Sequence, residues 1–251
     1  MKNPRTPSIG IGVAAAACTL LVASAYAQTP APPPSAMSAL EIKYVRDSQE
    51  YATLSRMVYR MATRAVTDAA KSLKPQSWVV VLDIDETALD NTPSQLDRAA
   101  YNLPFDPVAF VGWVMRREAS PVPGVVEFIA AVRKAGGRVA WISNRLPAGE
   151  EATRDNLRNV SLWTDDDRLC LADPARPKRA RRTEVISGTG ACSWSGTPMK
   201  PVAFIGDQMG DFPDANEGVP GAGTDDAFGT LSFILPNPMY GDWTSRVTRT
   251  R

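Results

Sequence analysis

The sequence contains no histidine among its 251 residues, and this absence excludes several classes of function. Hydrolases built on a Ser-His-Asp triad, Cys-His proteases and phosphatases that work through phosphohistidine all require an imidazole. Metal sites that depend on histidine are excluded for the same reason. Any catalysis must therefore use carboxylates, hydroxyls and lysine, with or without a metal ion.

Cysteine is scarce, with three residues in the whole chain. Cys18 lies in an N-terminal apolar stretch directly after Ala15-Ala16-Ala17, a context that disfavours attachment of a lipid anchor. Cys170 and Cys192 remain, and two lone thiols do not form a metal site of their own. In an oxidising compartment the pair is compatible with one structural disulfide.

Long apolar runs are absent except at the N-terminus. Lys2 and Arg5 precede an apolar core at about residues 9–22, and Ala25-Tyr26-Ala27 follows as a small-x-small cleavage site. This pattern predicts a signal peptide over residues 1–27, cleaved after Ala27, and hence a periplasmic or secreted protein. Because the core is shorter than the roughly 20 residues that a spanning helix needs, we expect no stable membrane insertion.

A large net charge is also absent. The chain has 28 basic and 27 acidic residues, and removal of residues 1–27 leaves 26 basic and 27 acidic ones. A nearly neutral protein has no general attraction for nucleic acid or an anionic membrane, so we expect neither as a partner. The one local basic run, Lys178 to Arg182, is either a solvated face or part of a site.

The most informative stretch is residues 78–91, with the sequence W-V-V-V-L-D-I-D-E-T-A-L-D-N. Its continuous apolar start is typical of a strand covered on both faces in a parallel sheet. Asp83 and Asp85 follow at the carboxyl end of that strand, which is the edge where open α/β sheets bind ligands. In extended geometry both carboxylates point the same way, and their repulsion requires a cation or a shared proton.

The rest of the chain alternates predicted strands and helices, which indicates an α/β fold with a doubly wound parallel sheet. We predict a Pro-rich linker at residues 28–37 and a single domain at residues 38–251, with a small cap inserted at about residues 91–123. The domain opens with one long or two shorter helices at 38–73. Further helices are predicted at 124–135 and 150–160, further strands at 138–142, 168–172, 202–205 and 230–235, and a loop around Cys192 at 187–197.

Polar side chains follow several of these strands. Ser143 ends the strand 138–142, and Asp207 and Asp211 follow the strand 202–205. With Asp83, Asp85 and Lys178 they predict one oxygen-rich site, for which Mg²⁺ is the expected ion because it prefers carboxylates and retained water. The alternative for Asp207, Asp211 and Ser143 is helix capping, the usual role of such residues after a strand.

Several motifs together resemble the haloacid dehalogenase (HAD) superfamily, and within it the bacterial class C nonspecific acid phosphatases. They are V-V-V-L-D-I-D-E-T-A-L-D-N, W-I-S-N-R at 141–145, K-R-A-R-R at 178–182, F-I-G-D-Q-M-G-D-F at 204–212 and L-P-N-P-M-Y-G at 235–241. The similarity extends from about Leu40 to Trp243. The chain departs from the family pattern at Ser94, where Tyr is usual, and at Gln208-Met209, where Asn-Leu is usual. The segment between Lys178 and Asp207 is longer than usual, which makes Lys200 the alternative lysine.

The resemblance implies a HAD-like sheet with a small helical cap and an N-terminal helical extension. It implies an acid phosphatase in which Asp83 is the nucleophile and Asp85 the general acid and base, while Ser143 and Lys178 hold the phosphoryl oxygens. The Mg²⁺ ligands would be Asp83, Asp85 through its backbone carbonyl, and Asp207, with Asp211 acting through a water molecule or from outside the direct ligands.

Asn144, Arg145 and the cap residue Trp113 are expected to bind a small phosphate monoester, with nucleoside 5′-monophosphates as candidates. A homodimer is left open. The alternative is a noncatalytic binding or storage protein on the same fold, the role that the resemblance implies for plant relatives of this family. An intact Asp83 argues against this alternative.

Overall fold

The computed structural model describes Met1 and residues 36–245, with side chains from residue 40 onward. The predicted signal peptide and most of the predicted linker lie outside the described residues. The strands are β1 (Trp78–Leu82), β2 (Leu89–Asp90), β3 (Ser120–Pro121), β4 (Arg138–Ile142), β5 (Arg168–Cys170), β6 (Lys200–Gly206) and β7 (Ser232–Ile234). The helices are α1 (Ala36–Asp47), α2 (Gln49–Ala70), α3 (Thr92–Ala100), α4 (Pro107–Arg116), α5 (Val125–Lys134), α6 (Glu150–Asn159) and α7 (Lys178–Ser187).

Five of these strands form a parallel sheet in the order β5-β4-β1-β6-β7. Strand β1 lies in the middle and is paired on both sides, with Val80 opposite Val139 of β4 and Ala203 of β6. All five residues of β1 are buried, which explains why the strand is continuously apolar. The predicted α/β fold with a parallel sheet is confirmed, and the carboxyl ends of β1, β4 and β6 meet at one edge.

The N-terminal segment forms two helices, one of the two arrangements expected for residues 38–73. They are separated at Ser48, whose Oγ accepts a hydrogen bond from the Tyr51 backbone N–H at 3.0 Å and caps α2. Helix α1 begins at Ala36, inside the segment predicted as linker. Within the described residues, no helix has both the length and the apolar character needed to cross a membrane.

Helix α2 supports the loop that carries the first two aspartates. Its buried Tyr59 packs against Phe128 of α5 with ring centroids 5.4 Å apart. The Tyr59 hydroxyl donates a hydrogen bond of 2.6 Å to the backbone carbonyl of Thr87. The helical extension is therefore tied directly to the loop after β1.

Helices α3 and α4 form the segment after β1 that the sequence predicts as a cap. Strands β2 and β3 pair antiparallel at its base, with Leu89 opposite Pro121, and bring the two ends of this segment together. Asp106 caps the N-terminus of α4, and its Oδ1 accepts hydrogen bonds from the backbone N–H groups of Val108 and Ala109. The cap therefore stands at the carboxyl edge of the sheet, next to the end of β1.

Cys170 and Cys192 form a disulfide, and their Cα atoms are 5.7 Å apart. The bond joins the end of β5 to the loop after α7 and closes a segment of 22 residues. Cys170 also lies next to the sheet edge, because its carbonyl accepts the Ser143 backbone N–H. The disulfide thus anchors the segment that contains α7.

We expect the double variant Cys170→Ser/Cys192→Ser to lose about 3 kcal/mol of unfolding free energy, because the unfolded chain gains the entropy of an open loop. Urea denaturation of the variant against the oxidised wild-type protein measures the difference. The wild-type protein, denatured without reductant, should show no free thiol after removal of its signal peptide. Equal stability of the two proteins would contradict a structural role for the bond.

Candidate active site

Three of the predicted carboxylates converge at the carboxyl edge of the sheet. Asp83 follows β1, Asp207 follows β6, and Asp211 lies in the turn after it. Each offers a carboxylate oxygen within 4.8 Å of the other two, and all three residues are buried. Gly206 permits this approach, since a Cβ built there would lie 2.3 Å from the Cβ of Asp211.

Lys178 lies against this cluster, at the first position of α7. Its Nζ is 2.7 Å from Oδ1 of Asp83 and 2.5 Å from Oδ1 of Asp211. Burial lowers the pKa of the lysine, but attraction to Asp83 and Asp211 outweighs it and raises the pKa overall. The lysine is therefore a fixed ammonium at the site. Lys200, the alternative lysine, is exposed at the start of β6.

Burial strongly raises the pKa values of Asp83 and Asp207. It raises the pKa of Asp83 well above its usual range, with Asp211 and Asp207 adding to the effect and Lys178 opposing it. Burial likewise raises the pKa of Asp207 to about 6, and Asp211 contributes. Two neutral groups oppose the rise at Asp207: Asn237 Nδ2 donates to Oδ2 at 2.8 Å, and Thr87 Oγ1 donates to Oδ1 at 3.2 Å. The cluster thus carries more negative charge than one ammonium balances.

Asp85 has different partners from the clustered carboxylates. Its Oδ1 accepts hydrogen bonds from Arg145 Nε at 2.9 Å, Arg145 Nη2 at 2.8 Å and Asn91 Nδ2 at 2.9 Å. Its Oδ2 has one donor, Ser143 Oγ at 3.4 Å. The carboxylate of Asp85 is therefore outside the group of three, and its second oxygen is the one available for proton exchange.

Arg145 and Asn144, both expected to contact a substrate, lie in the loop after β4. The Arg145 side chain is 1% exposed and is committed to Asp85 and to Thr153 Oγ1, at 3.2 Å from Nη1. Asn144 is exposed and lines a cavity above the carboxylates. In this structure Arg145 positions Asp85, while Asn144 remains accessible to a ligand.

Trp113 requires a correction, because it does not line the cavity, although the sequence placed it among the substrate contacts. The residue is buried, and its Nε1 donates a hydrogen bond of 2.8 Å to Oδ1 of Asn91. The aromatic residues that line the cavity are Phe105, Phe110 and Tyr240. Sequence composition marked the cap as aromatic but could not show which rings turn inward.

Helix α7 was not predicted, and it changes the interpretation of the basic run. Arg181 Nη1 donates to the backbone carbonyls of Ser143, Cys170 and Leu171 at 2.6–3.0 Å. Arg182 pairs with Glu217 and is also buried. The run is therefore only partly solvated, since Arg179 is exposed while Arg181 and Arg182 are buried. Arg181 braces the strand ends, although nothing in the sequence distinguished buried from exposed basic residues.

The cavity above the carboxylates has a volume of about 330 Å³. Asp83, Asp85 and Lys178 line it on the sheet side, and the aromatic side chains Phe105, Phe110 and Tyr240 line it elsewhere. The donor set of carboxylate oxygens without thiolate or imidazole fits a hard divalent cation. Asp83, Asp207 and Asp211 are the residues whose carboxylates could hold it.

The raised pKa of Asp207 predicts how stability depends on pH when no metal is present. The folded pKa of about 6 lies above the unfolded value of about 3.9, so the folded state binds the proton more tightly. Stability is then greatest below about pH 4 and falls as the pH rises through about 6, by roughly 2–3 kcal/mol from this group.

Urea denaturation in EDTA from pH 4 to 8 measures this effect, and no histidine titrates in that range. The variant Asp207→Asn should show a smaller decline, and an unchanged decline would contradict the assignment. Excess Mg²⁺ at pH 7 should restore stability to the wild-type protein, because an ion bound to the native state favours ionised carboxylates.

Comparisons with known proteins agree with this geometry. Acid phosphatase 1 of Solanum lycopersicum is 27% identical over 162 residues, which cover 64% of this chain and 58% of that protein. The matched part thus spans less than two thirds of the tomato relative. The class C acid phosphatase from Bacillus anthracis is structurally similar, with a TM-score of 0.68 and 28% identity over 82% of this chain and 86% of that one.

A second structure of the Bacillus anthracis enzyme, with tungstate bound, gives a TM-score of 0.66 and 26% identity at the same coverage of both chains. The family model of the acid phosphatases matches residues 12–243, nearly the whole sequence. The chain therefore belongs to the HAD superfamily, subfamily IIIB, the acid phosphatase family.

Proposed function

We propose that this protein is a Mg²⁺-dependent acid phosphatase that hydrolyses phosphate monoesters through an aspartyl-phosphate intermediate. The observation that carries the proposal is the position of Asp83. It lines the cavity, contacts the ammonium of Lys178 and belongs to the cluster of three buried carboxylates. A nucleophile, a cation and a set of oxygen ligands therefore meet at one point.

The related structures support the same chemistry. Tungstate, which is bound in one structure of the Bacillus anthracis enzyme, is a tetrahedral oxyanion of the same shape class as phosphate. Lys178 and the exposed Asn144 supply donors for such a group at the floor of this cavity. A tetrahedral phosphoryl group placed there would have Asp83 on one side and the cap on the other.

The reaction divides between the two aspartates. In the first step an Asp83 carboxylate oxygen attacks phosphorus, a new P–O bond forms, and the bond to the leaving alkoxide breaks while Asp85 gives that alkoxide a proton. In the second step Asp85 takes a proton from water, whose oxygen attacks phosphorus and releases inorganic phosphate from Asp83. Both groups return to their starting state.

The separate surroundings of Asp85 suit its role as acid and base. Because its Oδ1 is occupied by Arg145 and Asn91, the transferable proton belongs on Oδ2. Ser143 Oγ lies beside that oxygen, but the residue is buried and is not among those that line the cavity. Its single O–H would have to turn from Asp85 to a phosphoryl oxygen to hold the substrate. Lys178 stabilises the charge that develops on the phosphoryl group.

Mg²⁺ would be held by Asp83, Asp207, Asp211 and the backbone carbonyl of Asp85. When bound, it neutralises phosphoryl and carboxylate charge that one lysine leaves uncompensated. The cluster of three buried carboxylates, two of them with raised pKa values, is consistent with a resident cation. Asp211 also accepts a hydrogen bond from Lys178, so its carboxylate would be shared between the ammonium and the ion.

We further propose nucleoside 5′-monophosphates as substrates. Phe105 and Phe110, with ring centroids 5.8 Å apart, and Tyr240 provide flat apolar faces at the cavity wall. A base could stack on them while its phosphate reaches Asp83. A periplasmic or secreted location fits the disulfide, which is typical of oxidising compartments. The homodimer and the absence of nucleic-acid partners stay predictions.

We expect Asp83→Asn to reduce hydrolysis of p-nitrophenyl phosphate by more than about 10³-fold, because the amide cannot form the acyl phosphate. Thermal unfolding should show that the variant remains folded. Asp165→Asn makes the same chemical change at a side chain that is 95% exposed and should be as active as wild type. Full activity of Asp83→Asn would rule out the mechanism, and an inactive wild-type protein would favour a binding or storage role.

Asp85→Asn tests the general acid through the leaving group. We expect kcat/KM to fall by about 10²–10⁴-fold for an alkyl phosphate, but by less than about 10-fold for p-nitrophenyl phosphate, whose leaving group needs little protonation. The ratio kcat/KM reports the steps through cleavage of the first P–O bond and so excludes the later role of Asp85 as a base. Equal losses for both substrates would contradict the acid role.

A further inference from the structure

A second cavity of about 340 Å³ lies beside the reaction cavity. The two share Gln95 and Phe105 as lining residues. Met239 lines the second cavity and its neighbour Tyr240 lines the first, so the two cavities also meet along the C-terminal turn. A substrate whose phosphate is at Asp83 can therefore extend past Phe105 into the second cavity.

This second cavity contains a cation that the surrounding acids leave uncompensated. Arg98 lines it, and among the described residues no carboxylate lies within 4.0 Å of its guanidinium nitrogens. The neighbouring Asp97 pairs instead with Arg116, and the nearby Asp106 is occupied by the N-terminus of α4. The Nε of Arg98 is buried and has no hydrogen-bond partner among the described residues. Because a buried atom is out of a ligand's reach, the donors that Arg98 can offer to a ligand are its two Nη groups.

The cavity also contains an acceptor of the opposite charge. Glu41 of α1 lines it together with the side-chain amides of Gln95 and Asn102. A ligand that carries only negative charge would be repelled by Glu41, and one that carries only positive charge would be repelled by Arg98. The complementary ligand is instead a neutral ring that presents acceptors on one part of its edge and N–H donors on another.

A 6-oxopurine has this pattern. Its O6 and N7 atoms are acceptors that match an arginine fork, and its N1–H donor, with the 2-amino group in guanine, matches a carboxylate. Adenine places a donor amino group where the 6-oxopurine has O6, so it would face Arg98 with the wrong polarity. Phe105, which is 66% exposed between the two cavities, offers a face on which the ring can stack.

We propose that the second cavity is a base-recognition subsite that makes 6-oxopurine nucleoside 5′-monophosphates the preferred substrates. Arg98 donates to O6 and N7, and Glu41 accepts from N1–H. The proposal rests on the proposed phosphatase activity for its kinetic consequence, but the recognition itself is independent of the phosphate.

The kinetic experiment measures phosphate release from 5′-GMP, 5′-IMP, 5′-AMP, 5′-CMP and p-nitrophenyl phosphate. For the wild-type protein we expect kcat/KM for GMP and IMP to exceed that for AMP and CMP by about 10- to 100-fold, the discrimination typical of one bidentate contact. Arg98→Gln and Glu41→Gln should each bring GMP and IMP to within about 3-fold of AMP, without changing p-nitrophenyl phosphate hydrolysis. Arg64→Gln is the matched control, since Arg64 is an exposed arginine of α2 outside the cavity.

Equal kcat/KM for all four nucleotides in the wild-type protein would overturn the subsite while leaving the phosphatase intact. A preference for GMP and IMP that survives both Arg98→Gln and Glu41→Gln would overturn it as well. Equilibrium binding of guanosine and adenosine, which carry no phosphate, separates this question from the proposed function. Tighter binding of guanosine that is lost in Arg98→Gln supports the subsite even if turnover is absent, and equal binding of the two nucleosides contradicts it.

Discussion

The structure depends on the convergence of like charges at one end of a buried sheet. Asp83, Asp207 and Asp211 are brought within 4.8 Å of one another in a place that water cannot easily reach. Such an arrangement costs free energy through both repulsion and lost hydration. The ammonium of Lys178 offsets part of this cost, and the raised pKa values of Asp83 and Asp207 show that part remains. A site with this unmet demand for positive charge is suited to a divalent cation and to a phosphoryl group that arrives with one.

Much of the surrounding chain serves to hold these groups in place. Arg181 joins the carbonyls at the ends of two neighbouring strands, and Arg145 fixes the carboxylate of Asp85. Asn91 connects Asp85 to Trp113, so the cap and the loop after β1 share a hydrogen-bond network. Because each of these polar side chains is buried and has its partners, the network favours one arrangement of the loop over alternatives. Arg145 and Arg181 each donate several hydrogen bonds in fixed directions, so they position their partners through geometry as well as through charge.

Elements with a clear local pattern could be predicted from the sequence, whereas elements that depend on tertiary contacts could not. The continuous apolar runs of β1, β4 and β6 are typical of strands buried on both faces of a parallel sheet, so the meeting of Asp83 with Asp207 could be predicted. Helix α7 lacks an apolar stripe, since its buried face includes Arg181 and Arg182, and no pattern of hydrophobic residues marked it. Trp113 was misplaced because composition cannot show which side of a cap helix faces the cavity.

The two aspartates of the D-x-D motif illustrate how one chain gives similar residues different chemistry. Extended geometry would aim both carboxylates at the same place, but β1 ends at Leu82, before either aspartate. The segment then turns, and Glu86 adopts a positive φ of +54°, which persists because the surrounding contacts fix the turn. Asp83 contacts Lys178 and lies with the other carboxylates, whereas Asp85 meets Arg145 and Asn91. A nucleophile needs a free carboxylate oxygen near positive charge, and a general acid needs one oxygen held and the other accessible. These two proposed roles lie two residues apart in sequence because the two carboxylates have different partners.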